Sequence, residues 1–302
     1  MALFDFIISI IMRNIITSFL FLSLSYFICI LRGVLESNSV VRKYSHRNKI
    51  RILFKNGSAP LLKSIVDYEK IKIKYLSHYL NNNKFLKMQL EKCASVLRDE
   101  KENVSKKTGK KIILMPMHIF SDEFACLIAS QATEKRLWCL SNVGNTGWSN
   151  NWNSSNCDYD DNFVDNLHLI NVFGNKNESK KELYSMMKSF KRGTGECLIF
   201  SDVLPEYTAQ YLNNNKFTNV RLFEKNALMH SGPFKLPQSL DAVILPYYVH
   251  IRLGKLKIVT LPHIEAEDVN LKLPMVVERV LTSNVGNQWM FWHFTSFFYY
   301  NG

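Results

Sequence analysis

The 302-residue chain has no CxxC pair, and its six cysteines, Cys29, Cys93, Cys126, Cys139, Cys157 and Cys197, stand far apart. That spacing argues against a disulfide framework or a zinc site and fits a reducing compartment. Twelve glycines and eight prolines are too few for a collagen repeat or a long flexible linker. No glycine-rich phosphate loop occurs, which argues against a nucleotide-driven kinase or ATPase. Ser201 lacks the Gly-x-Ser-x-Gly elbow of a serine nucleophile and reads as a strand-end residue. Neither an RNA-binding signature nor a basic stripe interleaved with aromatics is present, so no nucleic-acid partner is expected.

Acidic residues are also few. Against 26 Asp and Glu stand 38 Lys and Arg, a net charge of +12, which suits an acidic partner: nucleic acid, an anionic membrane or an acidic carrier protein. The N-terminus chooses among these. Eighteen uncharged residues, Asn14 to Leu31, lie between Arg13 and Arg32. As a helix the run is about 27 Å long, close to the thickness of a bilayer core. It lacks the cleavage site of a signal peptide. A spanning or deeply inserted helix is the expectation, and a helix lying in the interface plane is its competitor. Arg32, Arg42, Lys43, Arg47, Lys49, Arg51 and Lys55 follow, placing the downstream chain on the cytoplasmic side.

Three segments result: a membrane anchor over 1–32, a basic juxtamembrane and helical segment over 33–109, and an α/β domain over 110–302. Apolar residues at three-to-four spacing predict helix from Ser58 to Leu97, broken at Asn81–Asn83, with a charged hinge from Arg98 to Gly109. Strands are then expected at 111–116, 137–141, 167–173, 196–201, 242–249 and 255–261. Helices are expected at 178–192, 231–240, 271–283 and again from Gln288. Such alternation predicts a mixed central sheet flanked by helices. Residues 142–166, rich in Asn, Ser and Gly, read as a long loop.

His118-Ile-Phe-Ser-Asp-Glu123 follows the first of these strands and precedes an apolar helix. Ligands bind at the carboxyl ends of strands in open α/β sheets. A His with a nearby carboxylate is the minimal general-base pair, the acid fixing the tautomer of the imidazole. In one continuous helix Asp122 would share a face with His118; Glu123 reaches back only if His118 sits on a turn before the helix. Backbone N–H groups near Phe120 to Phe124 are candidates for steadying an oxyanion. His168 and His230 have no acid at a motif spacing and read as structural or surface residues.

Ordered blocks extend this pattern. His118 and Glu123 give a His-x4-Glu spacing after a strand; Glu182 to Asp202 forms a helix, a Gly-containing turn and a strand ending in aspartate; Val220 to Ala227, Ser231-Gly232 and Val243 to Pro246 follow. Gly286-Asn-Gln-Trp-Met-Phe-Trp-His-Phe294 closes the series. Together with the anchor, the chain resembles the late acyltransferases of lipid A biosynthesis, in the lysophospholipid acyltransferase superfamily. Phe120 stands where that family has glycine, and Gly286 where it has proline. The resemblance implies an inner-membrane enzyme moving an acyl chain from acyl carrier protein, or coenzyme A, to a hydroxyl or amine of a lipid or glycolipid. It implies His118 as base with Glu123 as its partner, and Asp202, Glu224, Lys225, Gln288 and Trp289 in substrate binding. No metal or cofactor is expected. A catalytically inactive membrane-anchored scaffold that kept the fold is the alternative.

Overall fold

The computed structural model describes residues 83–141, 166–172, 176–209, 217–293 and 298–299, with single positions at 16, 19, 20, 22–24, 27, 72 and 75. Most of the anchor run, the segment 28–71 and the loop 142–165 lie outside the described residues.

Helix α1 spans Lys84–Thr108. Asn83 starts it by accepting the Leu86 N–H, and Gly109, at φ 66°, ends it. A left-handed C-terminal residue of this kind suits glycine, which has no Cβ to clash. The expected charged hinge over 98–109 is therefore mostly helix. Leu97 and Val104 are buried on one side of it while most of its charged residues face solvent, so the run of charge marks a solvated face. Lys101 meets Glu196 at 2.8 Å across the edge of the sheet.

Strand β1 (Lys111–Pro116) leads into helix α2 (Asp122–Gln131), then β2 (Arg136–Ser141), β3 (Leu167–Asn171), helix α3 (Lys176–Arg192) and β4 (Gly195–Ile199). After a short helix α4 (Pro205–Ala209), β5 (Phe217–Leu222) and β6 (Lys225–His230) pair as a separate antiparallel hairpin. Helix α5 (Gly232–Leu240), β7 (Ala242–Arg252), β8 (Lys255–Thr260) and helix α6 (Val269–Leu281) complete the domain. The six-stranded sheet has the order β3-β2-β4-β1-β7-β8. All its pairings are parallel except β7 with β8. The expected α/β architecture with a mixed sheet and flanking helices is the observed one.

Side-chain alternation divides the core between the two faces of the sheet. Ile113 and Met115 of β1 pack with α3, α5 and α6; Ile112 and Leu114 pack with α1 and α2. The second cluster also takes in Leu22 and Tyr75, so residues from all three sequence segments share one core. Among the described residues no helix is long and apolar enough to cross a membrane. The described positions from 16 to 27 are helical.

The C-terminal segment differs from the expected helix. Gly286–Gln288 and Met290–His293 are short 3-10 turns, and Trp289 between them is extended. Trp289 forms an antiparallel bridge with Ile119, and this cross-link to the loop after β1 draws it out of helical geometry. A Cβ at Gly286 would collide with the Leu281 carbonyl, so this position needs glycine for the chain to turn back so tightly after α6.

Candidate active site

The carboxyl ends of β1 and β4 lie side by side because the two strands pair in parallel, Leu114 opposite Leu198. His118 follows β1 by two residues and Asp202 follows β4 by three. The Asp202 carboxylate accepts the backbone N–H of His118 at 3.0–3.1 Å, its ring Nδ1 at 2.9 Å and the indole Nε1 of Trp289 at 2.7 Å. Asp202 is completely buried. A buried carboxylate is tolerable when several donors compensate it, as here. This set places the proton of neutral His118 on Nδ1 and leaves the Nε2 lone pair outward. Among the described residues Nε2 has no hydrogen-bond partner. The ring is clasped between Phe200, at 4.1 Å, and Phe291, at 4.6 Å between centroids.

The loop between β1 and α2 is pinned from the C-terminal segment. Phe120 N–H donates to the Gln288 carbonyl at 2.8 Å, and Met290 N–H to the His118 carbonyl at 2.9 Å. Phe120 has φ 64°, a left-handed conformation that costs a residue with a Cβ about 1–2 kcal/mol. Its ring is buried against Tyr75 and stacked on Phe124. The backbone thus keeps at Phe120 a geometry that glycine would adopt freely, held by packing and by two flanking hydrogen bonds.

Glu123 is not the partner of His118. Ser121 caps α2 through the Phe124 N–H and donates its hydroxyl to Glu123 Oε2 at 2.7 Å. Glu123 Oε1 lies 3.4 Å from Lys72 Nζ, and both side chains are buried. Beside it, the Asp122 carboxyl is held well above its ordinary pKa, first by burial and then by the Glu123 charge. Burial pushes Glu123 up too, but the hydrogen bond from Asp122, the Lys72 charge and the Ser121 hydroxyl outweigh it and leave its pKa lowered. Asp122 is thus biased toward its neutral form and Glu123 toward its charged form facing Lys72, and the pair stands at the helix start rather than on the imidazole. Three of the five amides expected to steady an oxyanion are engaged: Phe120 donates to the Gln288 carbonyl, Ser121 to the Ile119 carbonyl and Phe124 to the Ser121 hydroxyl.

The other expected binding residues separate. Gln288 grips Ile251 of β7 with both ends of its amide, each at 2.9 Å. Trp289 serves Asp202 and stacks on Phe298. Asp202 itself serves His118. All three are buried: Asp202 is the acid of the dyad, and Gln288 and Trp289 pack around it. Glu224 and Lys225 are exposed at the turn of the β5–β6 hairpin, where Lys225 lies over the Tyr299 ring; neither bonds to the dyad. His168 pairs with Glu182 at 3.2 Å and His230 with Thr208 at 2.9 Å.

Sequence reasoning missed Asp202 as the acid of the dyad, although the strand ending in aspartate was visible. It also missed Lys72, which carried no signal within its lysine-rich stretch. The site is thus a buried His–Asp dyad at the carboxyl edge of an α/β sheet. Comparison with known proteins finds no family model and no curated protein that matches the chain.

Proposed function

We propose that this protein transfers an acyl chain from an acyl thioester to a hydroxyl, or amine, of a membrane lipid or glycolipid such as a lipid A precursor. The observation that carries the reading is the Asp202 carboxylate on His118 Nδ1, which leaves Nε2 as the basic atom. The acceptor hydroxyl gives its proton to Nε2 as its oxygen bonds to the thioester carbonyl carbon. Asp202 steadies the imidazolium that forms. When the tetrahedral intermediate collapses, the carbon–sulfur bond breaks and the departing thiolate takes the proton from Nε2. Ester and thiol are the products, and His118 returns neutral. A thioester is activated enough that positioning and general base catalysis supply the rate without a covalent enzyme intermediate. The basic surface suits an acidic acyl carrier protein, or coenzyme A, and an anionic lipid head group. The ordered blocks and uncharged N-terminal run support a place at the inner membrane, with the α/β domain on its cytoplasmic face and residues 14–31 in or on the bilayer.

The test is transfer from radiolabelled acyl carrier protein or acyl-coenzyme A to lipid extracts, with wild type beside His118→Ala. Labelled product that depends on His118 supports the reading. A wild type that labels no lipid from either donor overturns it in favour of a catalytically inactive membrane-anchored scaffold.

A further inference from the structure

The described positions near the N-terminus carry two neighbouring helix faces with different surroundings. Phe19, Leu22 and Ser23 dock on the domain. Phe19 meets Phe85 of α1 edge to face at 5.6 Å, Leu22 is fully buried, and Ser23 lies so close to Gly254 that a Cβ there would strike it. Ile16, Leu20, Leu24 and Phe27, spaced by four, four and three residues, share the adjoining face. They are 49%, 59%, 58% and 57% exposed. Four large apolar side chains in line on a helix make an exposed apolar stripe, whose hydration is unfavourable.

Cations border it. A groove of about 510 Å³ is lined by Phe19, Arg252, Leu253, Lys255 and Lys257, and Lys255 lies over the Phe19 ring. Leu253, at the tip of the β7–β8 hairpin, is 74% exposed. The middle of the uncharged run is thus level with three lysine or arginine side chains. That depth fits head groups, because charges are costly at the centre of the hydrocarbon.

We propose that this helix lies in the plane of one leaflet. Ile16, Leu20, Leu24, Phe27 and Leu253 enter the acyl boundary of an anionic phospholipid bilayer, and Arg252, Lys255 and Lys257 hold lipid phosphates. Apolar insertion and cationic attraction add at such a surface. The inference rests on the membrane part of the proposed function and replaces a spanning helix with an in-plane one.

The full chain is floated with vesicles of phosphatidylcholine containing phosphatidylglycerol, and with phosphatidylcholine alone. Binding should favour the anionic vesicles and be released by alkaline carbonate. Leu20→Glu with Leu24→Glu, and Arg252→Glu with Lys257→Glu, should each lower the bound fraction at least tenfold with unchanged thermal melting. Arg13→Cys and Arg32→Cys should each take up more of an impermeant maleimide than the parent chain, and from the same side of the vesicle. Labelling from opposite sides, retention through the alkaline wash, or variants that bind like wild type would overturn the proposal. So would variants that change the oligomeric state and not vesicle binding. Transfer to a detergent-dispersed acceptor is measured separately: its absence with vesicle binding as described sinks acyl transfer alone, and its presence without vesicle binding sinks the in-plane helix alone.

Discussion

Asp202 holds His118 by both its backbone N–H and its ring Nδ1, so one carboxylate fixes the loop and the imidazole together. Losing the acid therefore changes the tautomer balance as well as the position of the base. Asp202→Asn should cut transfer by about 10²-fold or more, and His118→Ala by about 10²–10⁴-fold. Both are read as kcat under saturating donor. Transfer at wild-type rate in either variant would place the chemistry elsewhere.

Glu123→Gln should behave differently. It leaves Lys72 buried beside a neutral amide, and breaking a buried ion pair costs about 3 kcal/mol. The expected outcome is a marked loss in denaturant stability with kcat per folded molecule within a few-fold of wild type. A folded variant with kcat reduced a hundredfold would restore Glu123 as the working partner.

Trp289→Phe tests a positioning residue. The indole N–H reaches Asp202 at 2.7 Å, and a hydrogen bond to a charged group contributes about 1.5–3 kcal/mol. Phenylalanine keeps most of the ring packing and loses the donor. Transfer should fall roughly tenfold in kcat with KM little changed, since Trp289 acts through Asp202 rather than on substrate. An altered KM with normal kcat would return Trp289 to the binding surface.

The sheet was legible because its central strands are buried on both faces and read as apolar runs between charged helices. Lys111–Pro116 and Ala242–Arg252 are such runs. The β5–β6 hairpin was not. Phe223 and Glu224 turn it at φ 50° and 62°, so the glycine and asparagine signals of a tight hairpin turn are missing. His118 was visible from its place after a strand, but its partner was not. Asp202 lies 84 residues away, and only the parallel pairing of β1 with β4 brings the two together. Glu123, close in sequence, faces away because Ser121 caps the helix and draws the carboxylate to itself. Gln288 and Trp289 stood out as residues, yet their roles as clamp and donor depend on a chain reversal at Gly286 that no local pattern announces.

The Asp122–Glu123 pair gives a pH dependence of known sign. Asp122 is raised above its ordinary 3.8, so the folded protein keeps a proton that the unfolded chain releases. Its favourable contribution is complete below that ordinary value and is lost as pH rises through the raised one. Asp122→Asn keeps the neutral state at every pH. Relative to wild type it should gain stability progressively as pH rises above 3.8 and level off once the raised value is passed, followed as urea midpoints across pH. A constant difference between the two proteins would mean that Asp122 is not the group holding the proton.

His230 acts in the opposite direction. Its pKa is lowered from 6.5 to about 4 by burial, where it meets Thr208 at 2.9 Å and the Phe217 ring at 5.0 Å. The folded state favours the neutral ring, so its contribution is complete above pH 6.5 and is lost as pH falls toward the lowered value. At pH 5 the loss amounts to about 2 kcal/mol. His230→Gln keeps a polar side chain that does not titrate. Urea unfolding at pH 7.5 and pH 5 should show wild type losing about 2 kcal/mol more than the variant over that interval. Equal losses would mean that His230 is as easily protonated in the folded chain as in the unfolded one, and that the packing of the hairpin against α4 does not exclude its charged form.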